Sequence, residues 1–306
     1  TLFCFILIAF RTSYLALSTN IDGINIKEFA NDRTIVKTSI PASRGTIYDV
    51  NGDVLAQNVS SYTLIAYLDP ERSKDQKKLY HVEDKVTTAE KLSTTIEMKK
   101  EDILDILNQE GLYQVEFGYA GKNLTEMEKE KIEALSLPGI DFIEDEKRYY
   151  PNGDFASYTI GYAKKNEDGI ITGELGIEAL LDSALKGVNG EITYQKDRDG
   201  RKIAGTKELK VDAKNGDDIY LTIDSNIELF VEQALRENFG KYPSEWAVAV
   251  VADAKTGKIL AASQKPSYDP NILNIKNYMD ITVSTPYEPG SIMKIYTYMA
   301  AMEKGT

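Results

Sequence analysis

The 306 residues carry 48 acidic side chains against 36 basic ones, a net charge of -12, and so lack the positive surface needed to grip nucleic-acid phosphates. Apolar residues make up 42%, enough for a packed core, and the length suits about two domains. The single cysteine, Cys4, excludes an internal disulfide, and the single histidine, His81, sits in a charged stretch that offers neither a zinc cluster nor a Ser–His–Asp triad.

Residues 2–10 (LFCFILIAF) are uniformly apolar, Arg11 interrupts, and YLAL follows at 14–17. A spanning helix needs about 20 apolar residues, whereas nine at 1.5 Å each cover only about 13 Å. The expectation is that residues 1–20 are the outer end of a membrane anchor whose beginning is missing, with Arg11 near the interface. A buried N-terminal element is the alternative, and a cleaved signal peptide would need a small-x-small site that does not follow the run.

Residues 35–40 and 46–48 have strand character, broken by Pro41 and by Asn51-Gly52, a hairpin signal between alternating apolar positions. A further strand at 62–68 (YTLIAYL) ends at Asp69-Pro70. Residues 101–107 (EDILDIL) have helical spacing up to Gly111. Thr125 with Glu128 spells a capping box for a helix whose Met127, Ile132 and Leu135 share a face until Pro138-Gly139. Residues 177–185 read as a short helix closed by Gly187. The stretch 21–215 is thus a mixed α+β module with long excursions.

Around Asn215-Gly216 the pattern changes. A strand at 218–223 precedes a second capping box, Ser225 with Glu228, and an amphipathic helix bearing Ile227, Phe230, Val231, Ala234, Leu235 and Phe239. Strands at 246–252 and 259–263 follow, joined by a turn in which Gly257 needs a positive φ. Residues 216–306 therefore open an α/β-type sheet domain, and a last helix from about Ser291 runs to the end of the sequence.

That helix begins within Tyr287-Glu288-Pro289-Gly290-Ser291-Ile292-Met293-Lys294. Proline and glycine punctuate the chain, so Ser291 falls in the first turn and the Lys294 amine lies one turn on, on the same face. A serine hydroxyl is a poor nucleophile until a base takes its proton. A lysine amine, with a free pKa of about 10.4, is that base only where burial and neighbours hold it neutral. The partial positive charge of a helix N-terminus favours both changes. Standing alone, Ser-x-x-Lys occurs by chance and more often describes a capping serine followed by a surface lysine, and the surrounding residues change that weighting.

Residues 287–294 resemble the Tyr-Glu-Pro-Gly-Ser-x-x-Lys stretch of class B penicillin-binding proteins. Residues 250–271 (VVADAKTGKILAASQKPSYDPN) are similar to the segment preceding that nucleophile, and 216–224 (GDDIYLTID) to the strand that opens the transpeptidase domain. Residues 44–52 (RGTIYDVNG) with Leu55-Ala56 resemble the family's pedestal signature, with Val50 where an arginine is usual. Residues 148–153 (RYYPNG) with 160–162, 173–190 (GELGIEALLDSALKGVNG) and 197–203 (DRDGRKI) are similar to further pedestal blocks. Stretches 115–121 and 137–139 are similar to the division-type enzymes of Gram-positive bacteria. Residues 280–286 (DITVSTP) depart from the family by lacking an asparagine-arginine-alanine pattern.

The resemblance implies an α+β multidomain chain: an elongated pedestal of the dimerisation type, then the start of a serine-β-lactamase-like transpeptidase domain. It implies a single-pass anchor in the cell membrane, with the bulk of the chain outside the cytoplasm. The implied reaction is D,D-transpeptidation, with Ser291 as nucleophile, Lys294 as its base, and no metal or cofactor. The expected partners are peptidoglycan stem peptides, β-lactams as substrate mimics, and glycan-polymerising and division proteins, but no nucleic acid. Arg44, Gly45, Asp49 and Gly52 are candidates for docking those proteins, although turn glycines and an Arg44–Asp49 charge pair are the stronger explanation of them. The family's Ser-x-Asn and Lys-Thr/Ser-Gly elements are expected beyond residue 306, so the chain as given is expected to be inactive towards penicillin. Two other readings remain: a non-catalytic pedestal serving a wall-building complex, and a β-lactam sensor or hydrolase, which has no use for a long pedestal.

Overall fold

The computed structural model describes residues 2–17, 20–21, 24–25, 35–74, 76–166, 169–196, 202–203 and 208–305. The block expected at 197–203 therefore falls largely outside the described residues. The chain divides into two compact units, residues 1–43 with 186–216, and residues 44–185 with 217–306.

The smaller unit contains the helix Leu2–Leu17, on which Phe3, Phe5, Ile6, Ile8 and Phe10 are exposed. Among the described residues no helix is long and apolar enough to cross a membrane. Its sheet is antiparallel and three-stranded, in the order Leu209–Val211, Gly190–Gln195, Ile35–Ile40. Gly190 faces Ile40 and Gln195 faces Ile35, so the strand read at 35–40 pairs with one about 155 residues later.

The larger unit is organised by one 14-residue strand, Val54–Tyr67. Its β-branched and aromatic residues suit a pleated, buried surface, and it runs well beyond the segment that composition alone marked. Ile47–Tyr48 pairs with its start across the Asn51-Gly52 turn, where Gly52 has φ +91°, a conformation open to glycine. Ile140–Tyr149 covers residues 57–66 of the same strand in antiparallel register, with Leu64 opposite Phe142. Gln114–Glu116 pairs with its far end, and Ile219–Tyr220 adds in parallel to Ile47–Tyr48. Sequence-distant strands thus meet on one sheet.

Two cores result. In the first, Leu64, Leu92, Ile103, Leu107, Phe117 and Ile132 pack under the helices Lys85–Leu92, Lys100–Leu107 and Glu126–Glu133. The Thr125–Glu128 capping box forms as the sequence predicts, and it satisfies two otherwise orphaned amides. Ile132 is buried, whereas Met127 is 65% exposed and leaves the expected face. In the second core, Ile47, Leu55, Tyr150, Tyr158, Tyr162 and Tyr268 pack together. The helix expected at 177–185 is two short ones, Gly176–Leu180 and Asp182–Leu185.

The helix at 225 needs two corrections. Its cap is Asp224, whose carboxylate accepts from the Asn226 and Ile227 amides, and not Ser225. Glu228 is consequently free of capping and turns inward. The buried residues of Ser225–Lys241 are Glu228, Glu232 and Leu235, while Phe230 is 72% exposed. Carboxylates can occupy that face because the hairpin beneath it, Ala247–Ala252 with Ile259–Lys265, supplies donors. The turn at 253–258 has Gly257 at φ +73°, as its sequence requires.

Leu64 is fully buried between the long strand and the helical cover. Leu64→Ala should destabilise the protein by about 3 kcal/mol, lost transfer energy plus a cavity, read as a lower urea midpoint. A loss below about 1 kcal/mol would mean that this core collapses around the gap.

Candidate functional site

Ser291 lies in the short 3₁₀ turn Gly290–Met293, which runs directly into the helix Lys294–Lys304. Gly290, at φ +52°, makes the bend, and the Lys294 amide donates back to the Ser291 and Ile292 carbonyls. The spacing of three places the two side chains about one turn apart. Both are exposed, and among the described residues neither makes a side-chain hydrogen bond or ion pair. The helix beyond carries Ile295, Tyr296, Met299 and Met302, each at least 60% exposed.

The chain leading towards Ser291 is tied down as far as Ser284. Ile281–Ser284 is a single helical turn capped by Asp280, which accepts from the Thr282 amide at 2.9 Å. The Ile281 amide donates to Gln264 Oε1 at 2.7 Å, tying this turn to the hairpin. Between them, residues 266–280 form a strap fastened to residues 150–158. Asn271 clamps the Tyr150 backbone from both sides, accepting from its N–H at 3.0 Å and donating to its carbonyl at 2.9 Å. Tyr268, 1% exposed, donates its hydroxyl to the Ser157 carbonyl at 2.9 Å and stands edge-on to Tyr158. Tyr158 in turn donates to the Asn277 carbonyl at 2.6 Å. Burial pushes the Tyr268 phenol well above its usual range, so it stays a neutral donor.

Where the helix Ser225–Lys241 meets the hairpin, Glu228 accepts from the Ala262 amide at 2.7 Å and from the Ser263 hydroxyl. Its carboxyl is pushed up chiefly by burial, with Glu232 adding to the rise, while these donors and Lys265 oppose it.

Of the four pedestal residues, Arg44, Gly45 and Asp49 are buried, whereas Gly52 lies on an exposed turn. The Arg44 guanidinium is buried, with Nε donating to Glu178 Oε2 at 2.8 Å, Nη2 to the Glu178 carbonyl at 2.9 Å, and Nη1 to Asp182 at 2.6 Å. Arg148 donates to the other Glu178 oxygen at 2.6 Å, and the Tyr150 hydroxyl reaches the same atom at 3.3 Å. The Arg44–Asp49 pair read from the sequence does not form. Asp49, fully buried, accepts instead from the amides of Asn51 and Asp53 at 2.8 Å and of Ser225 at 3.1 Å. The desolvation cost of its burial is outweighed by these bonds, which hold its carboxyl below the usual range. Gly45 lies so close to the chain at 217 that a Cβ would sit 2.0 Å from the Asp217 carbonyl oxygen.

Sequence reasoning missed Glu178, although it lies inside the block 173–190. The signal was there: a lone carboxylate amid apolar residues (GIEALL), which a helix cannot bury unpaired. Asn271 closes the block 250–271, yet nothing local in the sequence says that its partner is Tyr150.

The chain matches the family described as "Penicillin-binding Protein dimerisation domain" over residues 39–221, and the "Penicillin binding protein transpeptidase domain" over residues 247–306. The chain belongs to the class B penicillin-binding proteins. Stage V sporulation protein D of Bacillus subtilis (strain 168) is 28% identical over 308 residues, 98% of this chain and 44% of that protein. The probable peptidoglycan D,D-transpeptidase PenA of Neisseria gonorrhoeae is 29% identical over 284 residues, 92% of this chain and 46% of that protein. The crystal structure of penicillin binding protein 2X from Streptococcus thermophilus superposes with a TM-score of 0.62 at 34% identity, covering 88% of this chain and 42% of that one. The chain thus spans less than half the length of these relatives. A dimerisation domain followed by the start of a transpeptidase domain accounts for the α+β architecture, and the strap, with its clamp on Tyr150, joins the two matched stretches in this penicillin-binding protein.

The raised Glu228 carboxyl has a consequence for stability. The folded state holds that proton to higher pH than the unfolded chain, so this group's contribution is present below the ordinary glutamate range and is lost as pH rises from there through the raised value in the folded protein. The stability of Glu228→Gln relative to the natural protein should therefore shift in the variant's favour as pH rises above the ordinary glutamate range. Paired thermal melts from that range upwards check this; a flat or opposite trend would contradict it.

Proposed function

We propose that these residues belong to a peptidoglycan D,D-transpeptidase in which Ser291 is the nucleophile and Lys294 its base. The observation that carries this reading is the Tyr-Glu-Pro-Gly-Ser-x-x-Lys stretch, set at a glycine bend entering a helix within the part of the chain that matches the transpeptidase domain. The Ser291 oxygen attacks the carbonyl of the penultimate D-Ala of a stem peptide, and its proton passes to Lys294 Nζ. The amide C–N bond breaks, D-Ala leaves carrying a proton, and an ester to Ser291 remains. An amine from a neighbouring stem then attacks the ester, forming the cross-link and releasing the serine. β-Lactams enter the first half of this sequence as acyl donors. The developing oxyanion needs at least two donors; the Ser291 amide is one, and the second comes from the part of the parent protein outside these residues. No metal or cofactor takes part.

Residues 21–215 serve as the pedestal and 216–306 as the opening of the transpeptidase domain. The apolar helix within residues 1–20 is the end of a membrane anchor that holds the bulk of the chain outside the cytoplasm. The pedestal docks glycan-polymerising and division proteins. Arg44 and Asp49 are 5% and 0% exposed and Gly45 is buried, so these three act in docking by fixing the local shape and not by touching a partner, whereas Gly52 stands on an exposed turn.

In the full-length protein, Ser291→Ala should abolish labelling by a fluorescent penicillin while leaving the melting temperature nearly unchanged. Stoichiometric labelling of the variant would put the nucleophile elsewhere and favour a pedestal for which Ser291 is incidental.

A further inference from the structure

At the end of the strand Ile259–Lys265 one ammonium group gathers three separate parts of the chain. Lys265 Nζ forms a close ion pair with Glu232 Oε2 at 2.7 Å, lacking hydrogen-bond alignment, and donates to Asp154 Oδ2 at 3.2 Å and to Ser267 Oγ at 3.0 Å. The Ser267 hydroxyl also donates to Asp154 Oδ2 at 3.0 Å, closing a triangle. The Lys265 side chain is 9% exposed and that of Glu232 5%. Burying an ammonium is costly unless it is paired, and an apolar side chain of similar volume would serve simple packing as well or better. The pair is therefore poorly explained by stability alone.

What it does is fix a position. Glu232 belongs to the helix Ser225–Lys241, Ser267 to the strap, and Asp154 to the pedestal block that follows the clamped Tyr150. The next residue back, Gln264, holds the other direction, accepting from the Ile281 amide at 2.7 Å and donating to the Met279 carbonyl at 3.4 Å. Two consecutive residues thus grip the pedestal through Lys265 and the turn before Ser291 through Gln264. Burial alone would raise the Asp154 carboxyl, but the Lys265 ammonium and the two donors hold it below the usual range, so the contact is charged at neutral pH.

We propose that Asp154 and Lys265 are positioning residues for acyl transfer, transmitting the placement of the pedestal through Gln264 to the Ile281–Ser284 turn and hence to Ser291. Neither touches substrate. The inference rests on Ser291 being the nucleophile, and its test separates the two. A displacement of about 1 Å at a reacting group costs up to about a hundredfold in rate, and partial loosening through the six residues 285–290 should cost less.

Asp154 is the wet end of the cluster, its side chain 41% exposed, so it can be changed without opening the core. In the full-length protein, Asp154→Ala should lower the first-order acylation constant for a fluorescent penicillin by about tenfold. The dissociation constant of the non-covalent complex should not change, and the melting temperature should fall by no more than a few degrees. Asp154→Asn, which keeps an oxygen for Lys265 and Ser267 but not the charge, should fall between. Arg236→Ala is the control, since its 3.7 Å contact to Asp154 is exposed and should be worth little. Hydrogen exchange at residues 281–292 supplies a second readout that needs no chemistry, and Asp154→Ala should quicken it severalfold. An unchanged acylation constant overturns the inference while leaving Ser291 as nucleophile. If the natural protein is not acylated at Ser291, the proposed function falls, and unchanged exchange at 281–292 would overturn the positioning role by itself.

Discussion

A carboxylate with no exposure to water, Glu178, sits between two arginines, and the joint of the molecule is arranged around it. An unpaired charge there would cost several kcal/mol, so Arg44, Arg148 and the Tyr150 hydroxyl have to arrive together. Each comes from a different element: the segment before the first hairpin, the end of the strand Ile140–Tyr149, and the loop after it. Asp182 and the Glu178 carbonyl then complete the Arg44 fork. The demand to satisfy one charge thereby fixes the relation of segments more than a hundred residues apart.

From that joint a series of contacts leads towards the candidate nucleophile. Tyr150, which reaches Glu178 with its hydroxyl, has its backbone clamped by Asn271. Asn271 lies in the strap that carries Tyr268 into the aromatic core and leads on to the turn before Ser291. Blocks that look unrelated along the sequence, RYYPNG and SYDPN, are two sides of one contact.

Much of this was legible in the sequence where the signal is local. The Asn51-Gly52 and Asp253–Gly257 turns, the Thr125 capping box and the Ser291 helix start each depend on a few adjacent residues, and each forms. The family resemblance extended that reading to the architecture. What stayed hidden depends on partners far away in sequence. Glu228 looked like a capping residue because its spacing from Ser225 fits; Asp224 takes the cap, and Glu228 turns inward to amides that only the hairpin can supply. Arg44 and Asp49 looked like a pair because they are five residues apart and opposite in charge, but each has better-placed partners across the fold. Hydrophobic periodicity likewise placed Phe230 inside, because nothing local says that Glu228 and Glu232 will find donors there.

The central claim, that the Glu178 cluster makes the joint one cooperative element, is tested most directly by native-state hydrogen exchange. The Gly45 amide donates to the Leu185 carbonyl, the Ala163 amide to the Tyr150 hydroxyl, and the Gly173 amide to Asp182, so each reports a different spoke of the cluster. All three should exchange with one opening free energy, equal to that of global unfolding. Exchange of Ala163 and Gly173 through small local openings, while Gly45 stays protected, would contradict it.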